Sequence, residues 1–243
     1  MKLALFPIFS LLSRKVGFAF FYKNNGEWKL WTRGVSIPVR GPSASAFEYF
    51  RHFVPAKGGI VFDVGAERGT QTQQFSRIVG ERGTVYAFEC LPSHSATLNQ
   101  LARNLKNVRV IDKACWNQRQ KLTFYEGQTP GSGTAVADAK GQRGQALANT
   151  HRGGFEVEAD TLDRLWREYA RSHTVDFLKM DIEGAECEAL EGATSLLANT
   201  RKVVVAAYHW RDNAPTAARV AERLKAAGFT VRVDENAHVY GTR

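Results

Sequence analysis

No cysteine framework organises this chain. Cys90, Cys115 and Cys187 are its only cysteines, odd in number and widely spaced. They offer neither a zinc-ligand spacing nor a disulfide pattern, and a reducing cytoplasm is the expected setting. Long apolar runs are missing too, so no segment can span a bilayer. The apolar start, Met1 to Leu12, is broken by Pro7, ends at Ser13-Arg14-Lys15 and lacks a small-residue cleavage site. It is expected to pack on the domain, with a peripheral membrane contact as the alternative. There is also no dense block of one charge. The 33 Lys and Arg outnumber the 24 Asp and Glu, a net charge of +9, which raises the question of an anionic partner. The arginines are dispersed, and pairs such as Arg164 and Arg167 have the look of solvated helix faces. With no basic-aromatic binding module, a nucleic-acid partner is disfavoured.

The 243 residues, 44% hydrophobic and 23% charged, suit one α/β domain from residue 46 to 243 behind an N-terminal extension over residues 1–45. In the extension, Asn25-Gly26 before the alternating Glu27-Trp28-Lys29-Leu30-Trp31 reads as a hairpin turn. Ser43 or Ser45 can cap a helix through Phe47, Tyr49, Phe50 and Phe53.

The chain is organised around residues 59–70. Ile60, Val61, Phe62 and Val64 form a nearly continuous apolar run, as in a parallel strand covered on both faces. Gly65 and Gly69 allow a tight turn and close approach to a ligand, and a helix starting near Thr70 would present free N–H groups there. A dinucleotide fingerprint would need glycine at 67 and 70, where Glu67 and Thr70 stand. Asp63 would repel a pyrophosphate and suits a ligand with a cationic amine, such as the methionine end of S-adenosylmethionine.

A β–α alternation follows. Strands are expected at Thr84 to Phe88, Val108 to Ile111, Val175 to Met180 and Val203 to Ala207. Helices are expected at Thr70 to Val79, from a Ser93 cap through Leu98, Leu101 and Leu105, from Thr161, at Glu186 to Leu197 and at Thr216 to Ala227. Leu122 to Tyr125 and Phe155 to Ala159 read as strands as well. Residues 127–154, rich in Gly, Ala, Gln, Ser and Thr, form a long insertion, read as either a lid over the site or a surface loop. The closing strands, Phe229 to Val233 and His238 to Tyr240, form a hairpin around Asp234-Glu235-Asn236. Together these elements predict a Rossmann-like, doubly wound α/β fold with a mostly parallel seven-stranded sheet and an antiparallel edge strand. Ligands then bind beyond the carboxyl ends of the strands, where Asp63, Glu89, Asp181 and His209 should converge.

Glu89, 26 residues after Asp63, can accept hydrogen bonds from the two hydroxyls of a ribose. The stretch Phe177-Leu178-Lys179-Met180-Asp181-Ile182-Glu183-Gly184-Ala185-Glu186 puts three carboxylates within six residues after a buried strand. Their burial needs a positive partner: the cofactor, Lys179, a metal or a helix N-terminus. From Leu178 to Glu186 the sequence resembles the hallmark of the FkbM-type methyltransferases. Val61-Phe62-Asp63-Val64-Gly65-Ala66 and Val85-Tyr86-Ala87-Phe88-Glu89 match that family in the same order, over roughly residues 45 to 210. The resemblance implies the class I methyltransferase fold and S-adenosylmethionine-dependent O-methylation of a small-molecule or glycan acceptor, such as a sugar, polyketide or lipid-linked hydroxyl. It places Asp63, Gly65, Gly69 and Glu89 on the cofactor, with Ala66, Thr70, Cys90, Ala114 and Asp181 completing the expected set. Two departures stand out. Glu67-Arg68 interrupt a turn that usually reads Gly-Ala-Asn-x-Gly. Lys113-Ala114-Cys115-Trp116-Asn117 lacks an Asp expected near the adenine.

Methyl transfer to a hydroxyl requires alignment and removal of a proton. His209 is the first candidate base, oriented by Asp181 or Glu183, either of which could itself serve. The same three residues could hold a divalent metal that activates the acceptor, though no spacing demands one. The rival readings are an RNA-directed methyltransferase or nucleic-acid-binding protein, and a catalytically inactive cofactor-binding partner protein. The first would show steeply salt-dependent RNA binding; it lacks the Asn/Asp-Pro-Pro-Tyr type motif of amino-methylating enzymes. The second would bind cofactor without turnover. No feature specifies an oligomeric state.

Overall fold

Seven strands make the central sheet, and the inner ones are buried along the apolar runs that predict them. The computed structural model describes residues 19–24, 26–32, 34–38, 48–126, 133–136, 152–211 and 214–243. The apolar start, the Ser43 and Ser45 caps, Asn25 and most of the 127–154 insertion lie outside these residues. In chain order the strands are β1 (Ala19–Asn24), β2 (Glu27–Thr32), β3 (Val35–Pro38), β4 (Ile60–Val64), β5 (Thr84–Phe88), β6 (Val108–Ile111), β7 (Ala114–Trp116), β8 (Gln120–Glu126), β9 (Gly133–Val136), β10 (Arg152–Thr161), β11 (Val175–Met180), β12 (Thr200–Ala206), β13 (Trp210–Arg211), β14 (Ala214–Pro215), β15 (Thr230–Val233) and β16 (His238–Thr242). The helices are α1 (Thr70–Val79), α2 (Pro92–Ala102), α3 (Leu162–Ala170), α4 (Glu186–Glu191), α5 (Thr194–Ala198) and α6 (Ala217–Ala226).

The central sheet has the order β15-β16-β12-β11-β4-β5-β6. From β12 to β6 every pairing is parallel, whereas β16 runs antiparallel to both β12 and β15. The closing hairpin brings an antiparallel pair to the edge of the sheet as expected, with β15 outermost and β16 between it and β12. Side-chain alternation builds a core on each face. Phe62, Val64, Leu178, Met180, Val203 and Val205 enter one core, and Val61, Phe177, Val204 and Ala206 enter the other. The second core also takes Leu30 and Ile37, so the three-stranded sheet β1-β2-β3 is seated against Phe75 and Val79 of α1.

Two helix expectations are corrected. The segment from Glu186 to Leu197 is two short helices, because Asp163 intervenes. Its backbone N–H donates to Gly192 O (2.9 Å), and its carboxylate accepts the Ser195 and Leu196 N–H groups at 2.9 and 2.7 Å, capping α5. Gly192 itself passes so close to β7 that an added Cβ would lie 2.3 Å from the Trp116 carbonyl oxygen. Further upstream, α2 begins at Pro92, with Leu91 and not Ser93 at its N-cap, and ends before Leu105. Proline at the first helical position loses no hydrogen bond. A second sheet, β7-β10-β8-β9, stands apart from the parallel set. Thr161 starts α3 as expected, its hydroxyl accepting the Arg164 N–H at 3.2 Å.

Candidate active site

The turn after β4 ties three strand ends together. Gly65 N–H and Ala66 N–H both donate to Phe88 O at 3.0 Å, and Asp181 N–H donates to Val64 O at 3.0 Å. Gly65 has φ +76°, and a Cβ there would lie 1.8 Å from the Asp181 carbonyl oxygen, so only glycine fits. Gly69 also needs its glycine, because its backbone is left-handed (φ +87°), and it packs against the Leu98 and Leu101 side chains of α2.

A cavity of about 370 Å³ opens beyond these strand ends, a size within the usual range for small-molecule sites. Of the expected cofactor residues, Gly65, Glu89, Cys90, Ala114 and Asp181 line it, as does Glu183. Glu89 accepts the Leu91 N–H on Oε1 and the Glu67 N–H on Oε2, both at 2.8 Å. Burial nonetheless raises its pKa, outweighing the lowering by these amides and by the His94 and Lys179 charges. Burial pushes the Cys90 thiol up to about 12, with the Glu89 charge adding to the effect, so this wall carries a neutral thiol. Trp116, Leu122 and Phe124 add apolar surface from the second sheet.

Asp63, Ala66, Gly69 and Thr70 do not line this cavity. The reading of Asp63 as an open carboxylate for a cationic amine is corrected. Asp63 is fully buried, accepts the Thr72 hydroxyl at 2.6 Å and pairs with Lys179 Nζ at 3.2 Å. Lys179 Nζ also donates to Gly65 O at 2.6 Å and stands 5.3 Å from the centre of the Tyr49 ring. Lys179, which also lines the cavity, is therefore the positive partner of Asp63, and the pair braces the glycine turn.

The loop after β11 holds the remaining charge. Glu183 (φ +56°) and Gly184 (φ +95°) both take left-handed backbone, which is strained at a glutamate. The fully buried Glu186 closes this loop by accepting the Gly184 N–H at 3.0 Å and the Ile182 N–H at 3.4 Å. Its Oε1 lies 2.9 Å from His209 Nδ1. His209 Nε2 lies 3.7 Å from Asp181 Oδ1 and 3.5 Å from Glu183 Oε2. Burial lowers the His209 pKa, but Glu186, Asp181 and Glu183 outweigh it and the net shift is upward. Glu183 is raised by burial and by Asp181, Glu186 and Glu67, against the lowering effect of His209. Asp181 Oδ2 accepts the Tyr49 hydroxyl at 2.6 Å, whereas its buried Oδ1 has no hydrogen-bond partner among the described residues. Arg211 donates to Gly184 O and, at 2.6 Å, to Glu188, clamping the loop from outside.

Asp181, Glu183 and His209 are thus brought together as expected. Glu186 is the residue whose part was missed: it reads as a favourable acid in the first turn of a helix, and only the fold turns it on His209. Tyr49 has no signal in the sequence, since it lies 132 residues from Asp181.

The profile of the methyltransferase FkbM domain matches residues 63–231, most of the chain. The chain belongs to the FkbM methyltransferase family. Family and fold together make it an S-adenosylmethionine-dependent methyltransferase domain. An FkbM methyltransferase from Methylobacillus flagellatus shares the fold with a TM-score of 0.56 at 15% identity, over 81% of this chain and 47% of that one. Fibrillarin from Aeropyrum pernix, solved with natively bound S-adenosylmethionine, shares it at 0.51 and 14% identity, over 93% and 100%. In sequence the present chain is 29% identical to the antimetabolite synthetase AmbE of Pseudomonas aeruginosa over 75% of its own length, and 21% identical to the 2-O-methyltransferase NoeI of Sinorhizobium fredii over 58%. It spans a tenth of AmbE and 60% of NoeI. Among the described residues no helix is long and apolar enough to cross a membrane.

Proposed function

We propose that this domain transfers a methyl group from S-adenosylmethionine to a hydroxyl of a small molecule or glycan, with His209 as the general base. The observation that carries this reading is the buried Glu186 carboxylate 2.9 Å from His209 Nδ1. It favours the tautomer with the proton on Nδ1 and leaves Nε2 facing the carboxylates at the cavity rim. The likeness to NoeI, a 2-O-methyltransferase, agrees with an oxygen acceptor.

The donor set suits the cofactor. A carboxylate offers about four acceptor positions, and two of those on Glu89 are taken by amides, leaving others for ribose hydroxyls. Asp181 Oδ1, buried and without a hydrogen-bond partner among the described residues, is matched by a cationic amine and takes the part expected of Asp63. Cys90, Ala114, Trp116 and Phe124 offer an apolar bed. When bound, the cofactor supplies an electrophilic methyl group on sulfur. His209 Nε2 accepts the acceptor's proton, and Glu186 stabilises the imidazolium that results. Asp181 and Glu183 orient the hydroxyl, and the apolar walls exclude water from the site.

The test is transfer of labelled methyl from S-adenosylmethionine to a panel of sugar and polyketide hydroxyls. His209→Gln should bind cofactor like the parent and turn over at least about a hundredfold more slowly. Unchanged turnover removes His209 from the reaction.

A second reading has one specific observation behind it. One ligand atom each from Asp181, Glu183 and His209 lie within 4.8 Å of one another, and the imidazole's other nitrogen has a carboxylate neighbour, as metal-bound histidines usually do. A divalent cation there would occupy Nε2 and lower the acceptor's pKa in place of the base. Activity lost to a chelator and restored by magnesium or manganese selects this reading; activity indifferent to the chelator selects the base.

A further inference from the structure

Only three large hydrophobic side chains stand exposed among the described residues, and two of them flank His209. Tyr208 is 42% and Trp210 72% exposed. At the alternate positions the side chains turn inward, His209 to Glu186 and Arg211 to Glu188. The Tyr208 ring lies against the His209 imidazole at 4.4 Å between centroids, tilted by 48°, and its edge meets His238 at 5.5 Å. An indole and a phenol left open to water beside His209 forgo part of the burial that large apolar side chains ordinarily gain. Paired exposed aromatics beside a polar site mark a surface that a ligand covers.

The charge around them narrows that ligand. The Tyr208 ring lies on an imidazole whose Nε2 is 3.7 Å from Asp181 Oδ1 and 3.5 Å from Glu183 Oε2, so two carboxylates stand beside it. The two cations closest to these carboxylates in the fold are paired, Lys179 with Asp63 and Arg211 with Glu188; Lys113 lies on the wall of the cavity formed by Cys90, Ala114 and Trp116. Although the chain carries a net charge of +9, this rim is negative. An anionic acceptor is repelled, and an acyl chain would bury carboxylates without pairing them. A neutral, hydroxyl-rich ring satisfies both surfaces, with its C–H face on the aromatic rings and its O–H groups donating to the carboxylates.

We propose that Tyr208 and Trp210 form the acceptor subsite, a stacking platform that presents one hydroxyl of a neutral polyhydroxylated ring to His209. This rests on the methyl-transfer reading above. Tyr208 and Trp210 are positioning and specificity residues, since neither takes the proton.

Ligand-observed NMR titration of the full chain with S-adenosylhomocysteine tests it, using methyl glucoside, methyl fucoside, glucuronic acid and a medium-chain hydroxy fatty acid as probes. The neutral glycosides should bind saturably, and the two acids should not compete. Trp210→Ala and Tyr208→Ala should each weaken glycoside binding roughly tenfold. Trp210→Phe and Tyr208→Phe should retain most of it, and calorimetry should show cofactor affinity unchanged in all four. Absence of saturable glycoside binding, tighter binding of either acid, or alanine variants that bind like the parent would each overturn the platform. The two proposals fail separately. Methylation of an acceptor with KM unaltered in the alanine variants sinks the platform alone. Glycoside binding as described, with no methyl passing to any hydroxyl, sinks the transfer reading alone.

Discussion

Glu186 Oε1 lies 2.9 Å from His209 Nδ1 while the same oxygen accepts the Gly184 N–H at 3.0 Å. One buried carboxylate therefore shapes the strained loop that carries Glu183 and sets the charge of the imidazole behind it. His209 and the rim acids share a single anchor, which is why a change at Glu186 reaches both.

With His209 in the proposed role, activity should rise with pH through its titration, because a base must be neutral. The folded pKa is raised, since the Glu186, Asp181 and Glu183 charges outweigh burial, so this limb lies above the ordinary histidine value of about 6.5. Glu186→Gln removes the nearest charge and should move the limb toward lower pH in a profile of kcat/KM. The linked stability has the matching sign: protonated His209 contributes fully below about pH 6.5, and the contribution is lost as pH rises through the folded pKa. Denaturation midpoints across that window should fall less steeply in Glu186→Gln than in the parent.

Asp63→Asn should unfold early before it says anything about cofactor. The substitution leaves Lys179, which has a side-chain exposure of only 3%, without its partner, and breaking a buried pair costs about 3–5 kcal/mol. Adding Lys179→Met should recover much of the loss. A double variant no more stable than Asp63→Asn in urea denaturation would mean the pair is not what Asp63 maintains.

Gly65→Ala should abolish measurable cofactor binding. The added Cβ meets a carbonyl oxygen at 1.8 Å in a left-handed backbone. The left-handed conformation alone costs roughly 1–2 kcal/mol at alanine, and relieving the clash pulls Asp181 away from the turn. Calorimetry with S-adenosylmethionine checks it; near-parental affinity would mean the turn tolerates a shift at the cavity wall.

Glu89→Gln keeps the size of the side chain but removes its charge and exchanges one acceptor for a donor. The Leu91 and Glu67 N–H groups already claim two positions, so the loss falls on the cavity side. Cofactor affinity should drop by about ten- to a hundredfold, the worth of a charge-assisted hydrogen bond. Turnover at saturating cofactor should change little.

Local chemistry settled the architecture. Apolar runs, glycine turns and capping residues are written over a few consecutive positions, so β4, β5, β6, β11, α1 and the Thr161 cap can be read directly from the chain. The same logic brought Asp181, Glu183 and His209 to one sheet end, because parallel strands deliver their carboxyl ends to one side. Assembly decided what each charged group does there. Asp63 reads as a ligand until Lys179, 116 positions on, closes over it at 3.2 Å. Glu186 reads as a helix-start acid until β12 carries His209 to it, and one apolar stretch becomes two helices because Asp163 caps the second from another element. Periodicity and turn preference act between neighbours and survive in the sequence. The partner of a buried charge is chosen across the fold, where desolvation makes pairing obligatory but no local pattern records with whom.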